Sequence, residues 1–197
     1  MKKSAISFTV IAAVLLVAVL ALLTSCSNKS NSSNLQAKVD SLQNELKKIN
    51  DEKTLTEMRL VRFDSLDFDI YSNQKWADLA ISHDDNIKVY YPDGSTTVGL
   101  NPQHVDALKP MFVFAPDTKI KTHPVKFGNG DWTAVIGEME GTFSAPMPIG
   151  NGKTIPPTNK KFKLAMATIG HWKDGRMIEE YLFWDNQAFM NQIGLGK

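Results

Sequence analysis

Apolar and polar positions divide the chain into four stretches. Ala5 to Leu23 is an acid-free, largely apolar run, and Ser27 to Asn34 ("SNKSNSSN") has no apolar residue to bury. Polar side chains that compete for backbone hydrogen bonds predict a flexible tether there. From Leu35 the apolar positions become Leu35, Val39, Leu42, Leu46 and Ile49, the alternating four-three spacing of one helical face. This predicts a helical, coiled-coil-like spacer over 35–57, with Lys53 and Thr56 breaking the seam. At about 1.5 Å per residue, a helix from Leu35 to near Arg59 would be roughly 35 Å long. It would either dock its stripe on its own domain, hold that domain off a membrane, or form a self-associating stalk.

Beyond Met58 the pattern predicts helices first and strands afterwards. "RLVRFDSLDFDIYS" is amphipathic, and "NQKWADLAI" follows with Asn73 as N-cap. "NIKVYY" is a strand, closed by a type I turn at Tyr91-Pro92-Asp93-Gly94. Asn101-Pro102 opens the next helix, which Pro110 must kink or end. Long strands follow at about Lys119–Phe127, Trp132–Phe143 and Lys161–Trp172, then a last hairpin strand. Helices followed by a curved antiparallel sheet define an α+β domain with helices packed on one face.

Composition and charge change this picture at the N-terminus. Lys2 and Lys3, the apolar run and Leu23-Thr24-Ser25-Cys26 resemble a bacterial lipoprotein signal, with residues 1–25 removed and Cys26 acylated. An uncleaved membrane-spanning helix is the alternative. Cys26 is the single cysteine, so no intrachain disulfide can form. Cleavage removes two of the 22 basic residues and none of the 21 acidic ones, which leaves the remainder near neutral. Without a basic stripe beyond Lys160-Lys161-Phe162-Lys163, nucleic acid is excluded as a partner. Ser27 after the acylated cysteine implies, by the same resemblance, an outer-membrane lipoprotein facing the periplasm.

"PPTNKKF" (Pro156 to Phe162), a strand, "KDG", a strand, "WD" and "FMNQIG", with "FAPD" and "GDWTAV" upstream, resemble the SnoaL-like polyketide cyclase or ester cyclase family. The resemblance covers about Met58 to Leu195, so 58–197 is read as the domain and 26–34 as the acylated tether. It implies the cone-shaped nuclear transport factor 2-like fold, a pocket for a hydrophobic small molecule, and cyclase chemistry without cofactor or metal. It also leaves open a homodimer through the outer face of the sheet. In the family an aspartate assisted by a histidine on the neighbouring strand moves the proton. Those positions fall on Leu182 and Thr168 here, and neither residue can do that work. The reading is therefore a membrane-anchored binding domain without the aldol mechanism. The alternative is a cofactor-independent cyclase-type lyase, isomerase or hydrolase-like enzyme.

Alternation along the hairpin selects the remaining candidates. A three-residue loop Lys173-Asp174-Gly175, with Gly175 left-handed, places Thr168 opposite Glu180 and Met166 opposite Leu182. Phe162, Leu164, Met166, Thr168, Ile178, Leu182 and Trp184 then form a greasy wall carrying one acid, Glu180, the candidate general acid or base. In an apolar pocket Glu180 should titrate above the ordinary value of about 4.3. At the rim of the cone it would be a solvated or lysine-paired carboxylate. Asp185 reads as the N-cap of the last helix, closed by Gly194. Glu179 points away from Glu180, and His171 shares its face as a surface or packing residue. Glu138 and Glu140 share one face of their strand and form a candidate polar pocket, with the buried face undecided. His83, His104 and His123 are scattered without paired spacing, so no metal is assigned.

Overall fold

The computed structural model describes residues 29–196. The signal segment and Cys26 lie outside them, and no described helix is long and apolar enough to cross a membrane. The chain divides into two compact units at Lys48/Ile49.

Helix α1 spans Lys29–Ser65. It starts inside the stretch read as a tether and passes through Lys53 and Thr56 without a break. Once a helix is nucleated, each added residue gains one hydrogen bond, so polar sequence extends it readily. The stripe Leu35, Val39, Leu42, Leu46 and Ile49 is exposed. Further along, Arg59 and Phe63 are buried, and Arg59 donates to the Gly130 carbonyl and, at 2.8 Å, to Asp131. A π-helical turn, Leu66–Ile70, continues α1 and buries Leu66, Asp67 and Ile70.

The second expected helix is instead two short 3₁₀ segments, Tyr71–Asn73 and Trp76–Ile81, separated by left-handed Gln74. Asn73 is therefore not an N-cap. Its amide donates backward to the Asp69 carbonyl at 2.7 Å. Strands β1 (His83–Tyr90) and β2 (Thr96–Val98) form a hairpin. A π-helical segment, Leu100–His104, precedes α2 (Val105–Phe114), in which Pro110 is accommodated without ending the helix.

The strand expected over Lys119–Phe127 is split into β3 (Lys119–Ile120) and β4 (Val125–Asn129). Both pair with β5 (Trp132–Thr142). Pro124, which has no amide proton for the ladder, lies in the break. After the small hairpin β6 (Met147–Pro148) and β7 (Thr154–Ile155), β8 (Lys161–Lys173) and β9 (Arg176–Phe183) complete the main sheet. Its order is β2-β1-β9-β8-β5-β3, with β4 also on β5. The sheet is antiparallel except for β1 against β9, which are parallel. Helix α3 (Asn186–Gln192) closes the domain, with Asp185 as N-cap accepting from the Ala188 amide at 2.9 Å.

The inner face of the sheet is covered by α1, α2, α3 and the turns between them. Phe63, Ile87, Val89, Trp172 and Met177 form one buried cluster, and Phe114, Phe143, Phe162 and Ile193 belong to a second. On β5 the inward residues are Thr133, Val135, Gly137, Met139 and Gly141. That face is crowded at Gly137, where a Cβ would lie 3.2 Å from Ile120 Cγ2 and 3.5 Å from Asp67 Oδ2.

Candidate functional site

The β8–β9 turn sets the site. Asp174 and Gly175 both have positive φ, which makes a two-residue loop instead of the expected three. Lys173 pairs with Arg176 and Trp172 with Met177, then a bulge leaves Ile178 unpaired before His171 meets Glu179. Gly170 is thus opposite Glu180, and Thr168 is opposite Leu182. The register differs from the expected one by two residues, and an even shift preserves the face. Glu180 and Leu182 still point inward, while Ile178 sits in the bulge and does not line the pocket.

The inward face closes a cavity of about 490 Å³. Met166, Thr168, Leu182 and Trp184 line it, together with Met139, Phe114 and Met190 from elsewhere in the chain. Phe162 and Leu164 face the same way but are packed into the core. Glu138 and Glu140 lie on the outer face. Glu138 is bonded to Thr122 at 2.9 Å and paired with Lys163 at 3.0 Å, and Glu140 is paired with Lys121. Both acids therefore lie away from the cavity that holds Glu180, and Glu140 lines a separate depression on the outer face with Asp117, Lys121 and Lys163. His171, also outside, stacks on Trp132 and bonds Glu179 at 2.8 Å.

Glu180 is 5% exposed, and it has company that spacing did not reveal. His83, at the start of β1, and His104, at the end of the π-helical segment, are 1% and 2% exposed. Their ring centroids are 5.3 Å apart. His83 Nε2 lies 3.7 Å and His104 Nε2 3.6 Å from the same atom, Glu180 Oε2. His83 reaches Glu180 through the parallel β1–β9 pairing, and His104 through the π-helical segment that Gly99 ties to Ile87 of β1, neither of which a local pattern encodes.

Both rings are held from behind. His83 Nδ1 is 3.1 Å from the Leu79 carbonyl and 2.9 Å from Ser82 Oγ. A carbonyl only accepts, so Nδ1 is the donor in this contact and carries a proton. His104 Nδ1 is 2.9 Å from the Tyr91 hydroxyl, which also contacts Thr97 Oγ1 at 3.2 Å. Among the described residues, His83 Nε2 and Glu180 Oε2 are buried without a hydrogen-bond partner.

Burial dominates at His104 and, with His83 close by, lowers its pKa to about 4, so the ring is neutral. At Glu180, burial pushes the pKa up, but His83 and His104 more than offset it and leave the group below its ordinary value. The expectation that Glu180 titrates high is corrected: it took account of the apolar wall and not of the histidines. The acid is an anion at neutral pH.

A second cluster lies nearby. His123, in the break between β3 and β4, bonds Asp64 through Nδ1 and Asp67 through Nε2, each at 2.8 Å. Lys126 pairs with Asp64 at 2.5 Å. Burial opposes the charge on His123, but the two carboxylates outweigh it and raise its pKa. Asp67 is raised because its burial outweighs the attraction of His123.

An α+β cone with a helix-covered inner face and an interior acid is the architecture of the nuclear transport factor 2-like class. The SnoaL-like polyketide cyclase profile matches residues 65–193, and the chain belongs to that family. Solved structures agree in fold. A candidate SnoaL-like polyketide cyclase from Jannaschia sp. CCS1 superposes with a TM-score of 0.62 at 17% identity, covering 73% of this chain and 96% of that one. A candidate polyketide cyclase, IdmH from Streptomyces antibioticus, gives 0.58 at 19%, covering 69% and 98%. A protein of ketosteroid isomerase-like fold from Catenulispora acidiphila, in complex with trimethylamine, gives 0.54 at 12%, covering 70% and 92%. No curated protein matches the chain.

Proposed function

We propose that the domain binds a hydrophobic small molecule in its cone, without the family's aldol cyclase mechanism, on a lipoprotein anchored to the membrane through Cys26. The observation that supports this is the mainly apolar cavity of about 490 Å³ with ionised Glu180 in its wall. That volume lies within the usual range for small-ligand pockets. Thr168 and Leu182, at the family's catalytic positions, face each other with no titratable side chain between them. The apolar wall fits a hydrocarbon skeleton, and the buried carboxylate fits one cationic or hydrogen-bond-donating group on it.

The test uses the full chain in detergent and the neutral fluorescent probe N-phenyl-1-naphthylamine. Saturable binding weakened at least about tenfold by Leu182→Trp, which fills the cavity, is expected; binding indifferent to that change would sink the reading. Cys26→Ser should move the protein out of the membrane fraction if the anchor is the acylated cysteine. A second reading is favoured by the ionised state of Glu180, which suits a general base. Turnover abolished by Glu180→Gln would support it, and turnover that survives would remove Glu180 from the chemistry.

A further inference from the structure

The triad of Glu180, His83 and His104 is incomplete as a hydrogen-bonded cluster. At 3.6–3.7 Å, neither histidine nitrogen is within hydrogen-bond distance of the carboxylate. Among the described residues His83 Nε2 and Glu180 Oε2 are buried without a hydrogen-bond partner, and buried polar atoms left unpaired point to a group that would satisfy them. One donor atom from each of the three residues lies within 4.8 Å of the others.

We propose that His83 Nε2, His104 Nε2 and a Glu180 carboxylate oxygen bind a divalent transition-metal ion of the zinc or ferrous type. Metal–ligand bonds of about 2.0–2.1 Å arranged tetrahedrally place neighbouring ligand atoms about 3.4 Å apart. The two histidine–carboxylate separations are a few tenths of an ångström longer, and all three donor atoms lie within 4.8 Å of one another, so rotations of the rings and carboxylate would be needed to close on an ion. Two histidines and one carboxylate are a recurrent donor set for catalytic zinc and for non-haem iron. The outer partners also fit. The Leu79 carbonyl and Ser82 hydroxyl orient one ring, and the Tyr91–Thr97 hydroxyl pair orients the other. Among the described residues three protein donors converge, and all three line the cavity, so a fourth coordination position would open towards the space where a ligand would sit. The half-buried Pro92 and exposed Asp93 and Ser95 line the cavity too, which gives an ion a route from solvent. His123 is no competitor, because both of its nitrogens are occupied by carboxylates.

The test takes the full chain in detergent, stripped with a chelator, and titrates it with Zn²⁺ by calorimetry and with Co²⁺ by visible absorption. One ion per chain is expected, with the intense d–d absorption of low-coordinate Co²⁺. Zn²⁺ should shift the imidazole ¹⁵N resonances of His83 and His104 and leave those of His123 and His171 in place. His83→Gln, His104→Gln and Glu180→Gln should each weaken binding by about 100-fold or more, whereas His171→Gln should leave it unchanged. Substoichiometric Zn²⁺, or binding that moves His171 or His123 instead, would overturn the site. The ¹⁵N measurement needs no variant, so it decides the matter even if the substitutions fail to fold. Probe binding without metal binding would refute this site and leave the apolar pocket standing.

Discussion

Two histidine–carboxylate clusters lie inside one small domain and are built in opposite ways. Around His123 every donor has an acceptor, with a carboxylate on each nitrogen and Lys126 behind Asp64. Around Glu180 two rings approach one oxygen at 3.6–3.7 Å without a hydrogen bond there, while their outer nitrogens are well held. The first arrangement ties α1 and its π-helical turn to the β3–β4 break. The second leaves His83 Nε2 and Glu180 Oε2 buried without a hydrogen-bond partner in the wall of a cavity. Satisfied polar clusters hold a fold together, whereas unsatisfied ones in a cavity wall are where binding free energy can be gained.

The largest effect should come from breaking the satisfied cluster. His123→Ala leaves Asp67 buried without its partner, and it should cost about 3–5 kcal/mol in urea unfolding. The clusters should also respond to pH with opposite sign in metal-free protein. His104 has its folded pKa depressed to about 4 from 6.5, so the unfolded chain binds the proton more tightly. Stability should therefore fall as pH drops from about 6.5 towards 4, by roughly 3 kcal/mol at about 1.4 kcal/mol per pH unit. His123 and Asp67 have raised pKa values, so each contributes stability that is lost as pH rises through its folded value. Unfolding curves across pH should show the acid limb flattened by His104→Gln and the alkaline limb flattened by His123→Gln.

Glu180→Gln is the sharper comparison, because at 3.6–3.7 Å the carboxylate makes no hydrogen bond to either ring, and its loss should cost metal-free protein less than His123→Ala does, about 1–2 kcal/mol. A loss like that of His123→Ala would show that Glu180 is structurally paired after all. The smallest effect belongs to Tyr91→Phe, about 1 kcal/mol, the usual worth of one hydrogen bond, read by thermal unfolding.

The two clusters also differ in how far they could be read from sequence. Glu180 was legible because strand alternation fixes its face, and the two-residue register error preserved that parity. Asp185 was legible as a cap because capping is local. The family resemblance fixed the cone before any contact was known. His83 and His104 were not legible, since one meets Glu180 through a parallel pairing of strands distant in the chain and the other through a π-helical segment packed on β1. Glu138 and Glu140 were undecidable because glycines on the other face hid its burial, and the close approach of Ile120, Asp67 and Phe162 explains those glycines. The short 3₁₀ segments after Ile70 were misread as a helix because their tertiary packing overrides local propensity.

The contrast between the clusters is tested most directly by long-range ¹H–¹⁵N NMR of the histidine rings in the metal-free full chain at pH 6.5. The structure requires His123 doubly protonated between its two carboxylates and His104 neutral. A neutral His123, or a doubly protonated His104, would contradict it, because the two clusters would then not differ in the way described.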